Sequence, residues 1–243
     1  AVAIYSIASQ IYMNYMPLST TLQSVFLPHV SKEITKRKST EYINYIFSRI
    51  GRMQYALLLL VLSGFIVFGK EFIFLWAGSQ YINAYYIAVL ILIPFTIDLI
   101  QNTGLIIMQV NNTYGYRAKV YFLIAMINIF LSTILGLKYG EVGCGLATSI
   151  SMFISNIIMN VYYNQRLKIN ILEFWKNIFL FTLPIVPLIF CGIVGKSLFN
   201  LNSWLILLCA IVFYTVVYVV LIYKFSLKNE EKKLVFHKLF HKM

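Results

Sequence analysis

Residues 204–223 read WLILLCAIVFYTVVYVVLIY, twenty in succession without a charged side chain. A helix rises about 1.5 Å per residue, so this stretch reaches about 30 Å, the hydrocarbon thickness of a bilayer. No soluble core of a 243-residue chain needs such a segment; its solvent is lipid. Working outward, stretches of the same kind occupy 2–28, 53–69, 85–109, 119–137, 142–163 and 177–195. The predicted fold class is therefore all-α, a polytopic transmembrane helical bundle of about seven spans. Composition agrees, with 60% apolar and 12% charged residues against about 45–50% and about 25% in soluble domains.

The net charge of +12 would suggest a nucleic-acid partner if it formed one basic face. Instead the cations fall in clusters between the apolar stretches. Six lie in 31–52, including Lys36, Arg37 and Lys38, and Arg117 and Lys119 mark the next loop on that side. Arg166, Lys168 and Lys176 mark the third, and six more lie from Lys224 onward. The opposite loops carry Lys70, Lys138 and Lys196. This is the positive-inside pattern. It predicts a cytoplasmic carboxy terminus, an inner-membrane location and residue 1 outside. An outside start without a leader sequence predicts that an earlier span precedes it. The tail 232–243 alternates basic residues with Phe236, Leu239, Phe240 and Met243, the spacing of an amphipathic helix lying in the headgroup region.

Polar residues inside a span mark helix contacts or a cavity. In the first span Ser6, Gln10, Met13, Pro17, Thr20 and Ser24 step by four and three along one face. Pro17 lacks an N–H, frees a backbone carbonyl and bends the helix. This face is expected to line a water-filled path, the alternative being burial among other helices with hydroxyls bonded to their own backbone. In the third span Asp98 sits one turn after Pro94, with Gln101, Asn102 and Gln109 expected on its face. A carboxylate at mid-bilayer is costly and must face a cavity or a partner. Asp98 is thus a candidate proton- or cation-coupling residue, or a hydrogen-bonding group for sugar, the alternative being a neutral structural Asp. In the fifth span Gly143, Ala147, Ser151 and Ser155 recur every four residues, a close-packing pattern for two helices.

No catalytic constellation is legible. His29, His237 and His241 lie at span edges or in the tail, and Cys144, Cys191 and Cys209 have neither metal nor redox spacing. No phosphate-binding glycine loop occurs. Neither a metal nor another cofactor is expected, and the chain reads as a transporter rather than an enzyme.

Four groups of residues carry a resemblance. They are Ile4-Tyr5-Ser6-Ile7-Ala8 through Val25-Phe26-Leu27-Pro28; Phe68-Gly69-Lys70-Glu71-Phe72 with Leu75-Trp76-Ala77-Gly78 and Tyr81; Gln101-Asn102 with Gln109-Val110-Asn111-Asn112; and Tyr139-Gly140-Glu141-Val142-Gly143. In this order the chain resembles Wzx-type polysaccharide flippases of the multidrug/oligosaccharidyl-lipid/polysaccharide exporter superfamily. The resemblance implies a fourteen-span transporter of two six-helix bundles plus two helices, of which this chain is the carboxy-terminal half. On that mapping 1–163 supplies five spans of the second bundle, 164–223 the two additional spans and 224–243 a basic tail. It implies flipping of undecaprenyl-pyrophosphate-linked repeat units for lipopolysaccharide or capsule by alternating access. The last two helices would help form a groove for the polyprenyl tail, and polymerase and chain-length proteins would be partners beside membrane lipids. Related flippases hold the pyrophosphate with basic residues in the cavity. No cation lies inside a span here, which leaves Arg49, Arg52 or Arg117 at the cytoplasmic mouth. A drug/cation antiporter of the same superfamily, a membrane-embedded polymerase or acyltransferase, and a non-transporting scaffold remain as alternatives.

Overall fold

The computed structural model describes residues 2–35, 39–196 and 203–227. The run Lys36, Arg37, Lys38 and the tail 228–243 lie outside the described residues. All regular structure among the described residues is helical: α1 (Val2–Thr35), α2 (Thr40–Trp76), α3 (Asn83–Ile100), α4 (Asn102–Val110), α5 (Tyr114–Gln165), α6 (Ile171–Thr182), α7 (Ile185–Lys196) and α8 (Trp204–Leu221). A 3-10 turn, Ser79–Tyr81, precedes α3, and a π turn, Ile222–Ser226, ends α8. Five segments are long and apolar enough to cross a membrane: Thr40–Trp76, Ser79–Ile100, Tyr114–Gln165, Ile171–Lys196 and Trp204–Ser226.

The sequence-based spans map onto these with three differences, at α1, at 31–52 and at 85–109, while the two predicted spans 119–137 and 142–163 are the two halves of α5. The 52 residues of α5 would reach about 78 Å if straight, over twice the hydrocarbon thickness. They are two helices folded at Gly140, whose φ of 60° and ψ of −140° suit glycine alone. The halves return on each other so closely that a Cβ on Gly143 would stand 2.0 Å from the Leu135 carbonyl oxygen. α1, the least apolar of the predicted spans, falls outside the five because its polar stripe lowers its hydropathy.

The second difference concerns 31–52, expected to be a loop. α2 begins at Thr40, with the Ser39 hydroxyl accepting the Tyr42 N–H at 3.3 Å. Ile46, Phe47 and Ile50 are buried at helical spacing, so this stretch earns its helix by packing outside the apolar window. Third, the expected continuous span 85–109 is broken at Gln101, whose φ of −100° and ψ of 11° separate α3 from α4. Beyond the break, Gly104 lets α4 approach α5; a Cβ there would lie 2.7 Å from the Tyr163 ring.

The bundle centres on α2, with α1 and α3 on one side and α6 to α8 on the other. Its core includes Phe47, Phe174 and Phe181, with Phe47 and Phe174 edge-to-face at 5.0 Å. Polar bonds tie α1 to its neighbours. Tyr15 Oη donates to the Leu58 carbonyl at 3.0 Å and pairs with Thr96 Oγ1 at 2.8 Å. Ser19 Oγ donates to the Leu99 carbonyl at 3.1 Å and accepts from Asn102 Nδ2 at 3.2 Å. Without water, each cross-helix bond of this kind contributes about 0.6 kcal/mol on average.

Candidate functional site

The first helical turns of α5 carry Arg117 and Tyr121, four residues apart and so on one face. That face meets Asp98 of α3. Arg117 Nη2 lies 3.2 Å from Asp98 Oδ1 and 3.1 Å from Oδ2. The same nitrogen donates to Tyr121 Oη, which donates in turn to Asp98 Oδ1 at 2.8 Å. The guanidinium also stands 4.5 Å from the centre of the Tyr121 ring. The Arg117 side chain is 10% exposed and that of Asp98 21%. The carboxylate expected to need a cavity or a partner has both, since this pair forms one wall of a cavity of about 300 Å³. Met16, Thr20 and Gln23 of α1, Asn102 of α4 and Tyr114 of α5 form other parts of its lining.

The structure thus brings Thr20, Asp98, Asn102 and Arg117 together and places the other candidates elsewhere. Gln101, expected on the Asp98 face, turns away because the helix break re-aims it; its Nε2 donates to Asn160 Oδ1 at 2.7 Å. Gln109 is exposed and outside the cavity lining, its register with Asp98 lost at the same break. Ser6 and Ser24 are exposed and bond to the Val2 and Thr21 carbonyls of their own helix. Ser6, Gln10, Met13, Pro17 and Ser24 form an exposed stripe, with Thr20 half-buried, so α1 is not enclosed within this chain. Gln10 borders a second cavity of about 250 Å³ with Asn14, Phe72 and Trp76.

The arginines also part company. Arg49 donates to Tyr45 Oη, one turn earlier on its own helix, at 2.9 Å. Arg52, expected at an open mouth, is buried. It donates to the Ser226 carbonyl at 2.7 Å and stands 5.6 Å above the Phe181 ring, fastening the end of α8. Because α2 starts at Thr40, Arg52 is an interior residue of a helix and not part of a loop. Arg117 stands in the first turn of α5, just before the predicted span 119–137, and its pairing with Asp98 was not foreseen. Hydropathy charges an arginine its full cost and ignores the carboxylate that neutralises it. Tyr121 and Tyr114 were missed for a related reason, as tyrosine is read as apolar; the spacing of Arg117 and Tyr121 was the available signal.

Gly143, Ala147, Ser151 and Ser155 are all buried. Their neighbour Gly145 sits so close to α3 that a Cβ would lie 3.0 Å from Ile87. A further groove of about 900 Å³ runs between α7 and α8, walled by Pro187, Leu188, Gly192, Phe213 and Val217. Lys196 borders it, bonded to Glu71 Oε1 at 3.0 Å and to the Val67 carbonyl at 2.8 Å.

No protein-family model matches the chain. A Haloferax volcanii protein described as "Probable low-salt glycan biosynthesis flippase Agl15" is 26% identical over 165 residues, covering 67% of this chain and 34% of that protein. A solved structure described as "Lipid II flippase MurJ, inward closed conformation" superposes with a TM-score of 0.66 and 19% identity, covering 92% of this chain and 47% of the other. The chain therefore spans about half the length of that structure and matches about a third of the curated relative. At this identity the likeness is one of fold: the chain is a polytopic helical membrane bundle folded as about half of that flippase is.

Proposed function

We propose that this chain forms one half of a transporter that flips a lipid-linked oligosaccharide between leaflets. The observation that carries the reading is the pairing of two unlike spaces on one bundle. A cavity bordered by the Asp98–Arg117 pair also exposes Thr20, Gln23 and Asn102 among apolar side chains, and an almost wholly apolar groove of about 900 Å³ lies between α7 and α8. A substrate with a charged, hydroxyl-rich head and a long hydrocarbon tail needs both. The shared fold with a structure described as a lipid II flippase, and the sequence relative described as a glycan biosynthesis flippase, support the same class.

In the finer reading the cargo is an undecaprenyl-pyrophosphate-linked repeat unit for a surface polysaccharide. The chain is the carboxy-terminal half, with residues 1–163 completing a bundle that rocks against a partner half and 164–223 holding the tail. The exposed polar stripe of α1 then faces the path between the halves. The clustering of Lys and Arg in alternate loops of the sequence supports a cytoplasmic carboxy terminus and a bacterial inner membrane. A cation antiporter fits less well, because the carboxylate it would need for its cargo is occupied by Arg117.

The test uses the full-length gene. Its deletion is expected to accumulate complete lipid-linked repeat units on the cytoplasmic leaflet and abolish surface polymer. Normal lipid-linked sugars together with retention of cationic drugs would overturn the reading in favour of the antiporter.

A further inference from the structure

The carboxy-terminal end of α2 is tied down by its own cap. The Ala77 N–H donates to the Ile73 carbonyl at 2.8 Å, and the Gly78 N–H to the carbonyls of Ile73 and Phe74 at 3.2 and 3.1 Å. This fixes the backbone beneath Trp76, the last residue of the helix, whose side chain is 44% exposed. One turn earlier Phe72 stacks on the indole, with ring centres 5.6 Å apart and planes inclined by 27°. Phe72 is braced in turn by Trp204 of α8, edge-to-face at 6.1 Å. An aromatic ring backed in this way is a preorganised plate, which a ligand meets without having to order it.

The cavity of about 250 Å³ that Trp76 borders is lined from α1 by Gln10 and Asn14, one turn apart and both exposed. Asn14 Nδ2 donates to the Gln10 carbonyl at 2.8 Å. Asn14 Oδ1, the Gln10 side-chain amide and the Trp76 indole N–H bond to no described residue. None of the lining residues is charged. Amides within a span are costly against hydrocarbon and mark a cavity or a partner. A sugar ring matches this set: its C–H face is apolar and packs on an aromatic plate, and its hydroxyls both donate and accept. An anion would find no cation here, and a hydrocarbon chain would leave the amides unsatisfied. Sites for drug-sized ligands begin at about 300 Å³, so this smaller space takes a single ring. A tryptophan that only anchors a helix at the membrane edge needs neither the stacked partner nor the amides.

We propose that Trp76, Gln10 and Asn14 form a seat for an uncharged sugar ring, with Trp76 against its C–H face and the two amides bonded to its hydroxyls. The proposal rests on the flippase reading for the molecule that carries the ring, but not for the seat. Gln10 precedes Thr20 by ten residues, about 15 Å along α1. The seat is therefore separate from the cavity beside Asp98 and meets a different part of an oligosaccharide.

The experiment measures binding of maltotriose, chitotriose and mannotriose to the full-length protein in lipid nanodiscs by saturation-transfer NMR. Dodecyl maltoside and a polyether detergent of the same tail are the lipid-like pair. Wild type is expected to bind at least one trisaccharide. Trp76→Leu should weaken that binding about tenfold, and Trp76→Phe, which keeps a plate, by no more than about threefold. Gln10→Ala and Asn14→Ala lie on an exposed face and carry the same test should Trp76→Leu not fold, each with a loss of about threefold to tenfold. Phe74→Leu is the control: Phe74 is as exposed as Trp76 on the same last turn but lies outside the cavity lining, and this variant should bind as wild type does. Maltoside binding that exceeds the polyether's and falls in Trp76→Leu supports a sugar borne on a lipid; binding confined to the free trisaccharides supports a seat for sugar alone. Absence of sugar binding by wild type, undiminished binding by both Trp76→Leu and Gln10→Ala, or an equal loss in Phe74→Leu overturns the proposal. None of these readouts involves transport, so failure of the seat and failure to flip a glycan in cells remain separate results.

Discussion

Tyr15 shows how single polar atoms are satisfied inside this bundle. The residue is 2% exposed, and its hydroxyl serves both the Leu58 carbonyl of α2 and Thr96 of α3. Tyr15→Phe keeps the ring packing and removes both bonds, leaving Thr96 still bonded to the Leu92 carbonyl at 2.7 Å. The expected loss is about 0.5–1.5 kcal/mol, read as a lower unfolding midpoint in mild detergent, with the helical content unchanged. Asp98 and Arg117 are the opposite case at this scale. Their pairing offsets the cost of placing a buried arginine and a half-buried carboxylate between helices.

At the scale of the element, the hairpin within α5 depends on two glycines for different reasons. Gly140 supplies a backbone conformation with positive φ, and Gly143 supplies room against the Leu135 carbonyl. Gly143→Ala forces two backbones apart and is expected to cost about 1–3 kcal/mol or more. Gly140→Ala should cost about 1–3 kcal/mol through strain alone. Gly64 is the internal control. It is helical in α2, and a Cβ there meets nothing within 4 Å. Gly64→Ala should therefore stabilise by about 0.5–1 kcal/mol. Thermal unfolding of the three variants side by side checks the account; equal effects at all three positions would remove it. The small-residue stripe from Gly143 to Ser155 was legible in the sequence because its period is local to one helix. Which helix it packs against was not.

Across the whole molecule, α8 lies at the periphery. Only Leu207, Tyr214 and Tyr218 are buried within it, while Leu205, Val212, Phe213 and Val216 are exposed. An apolar face of that extent has hydrocarbon as its solvent. A phospholipid with a diazirine in its acyl chain is expected to label Leu205, Phe213 and Val216 on illumination and to spare Tyr214 and Tyr218. Labelling of the two tyrosines at the same yield would mean that α8 does not dock as described. The seat of α8 is polar at its end, where buried Arg52 holds the Ser226 carbonyl and Ser226 Oγ donates to the Phe181 carbonyl at 3.3 Å.

Hydropathy is a sum over neighbouring residues, so the membrane class and the span at 204–223 could be read from composition and length alone. The connection at Gly140 was legible as the gap between the predicted spans 119–137 and 142–163. The helix break at Gln101 and the extension of α2 back to Thr40 were not, because each depends on backbone packing between segments. The candidate site was half legible. The sequence singled out Asp98 by its cost in lipid, and Thr20 and Asn102 by polarity within spans. It put Arg117 at a loop edge, put Arg52 beside it and gave Gln101 and Gln109 to the Asp98 face. Only the tertiary structure decided that Arg117 meets Asp98, that Arg52 fastens α8 and that Gln101 turns to Asn160. The physical reason is that charge pairing is a property of two helices at one rotation and separation, and no one-dimensional pattern contains it.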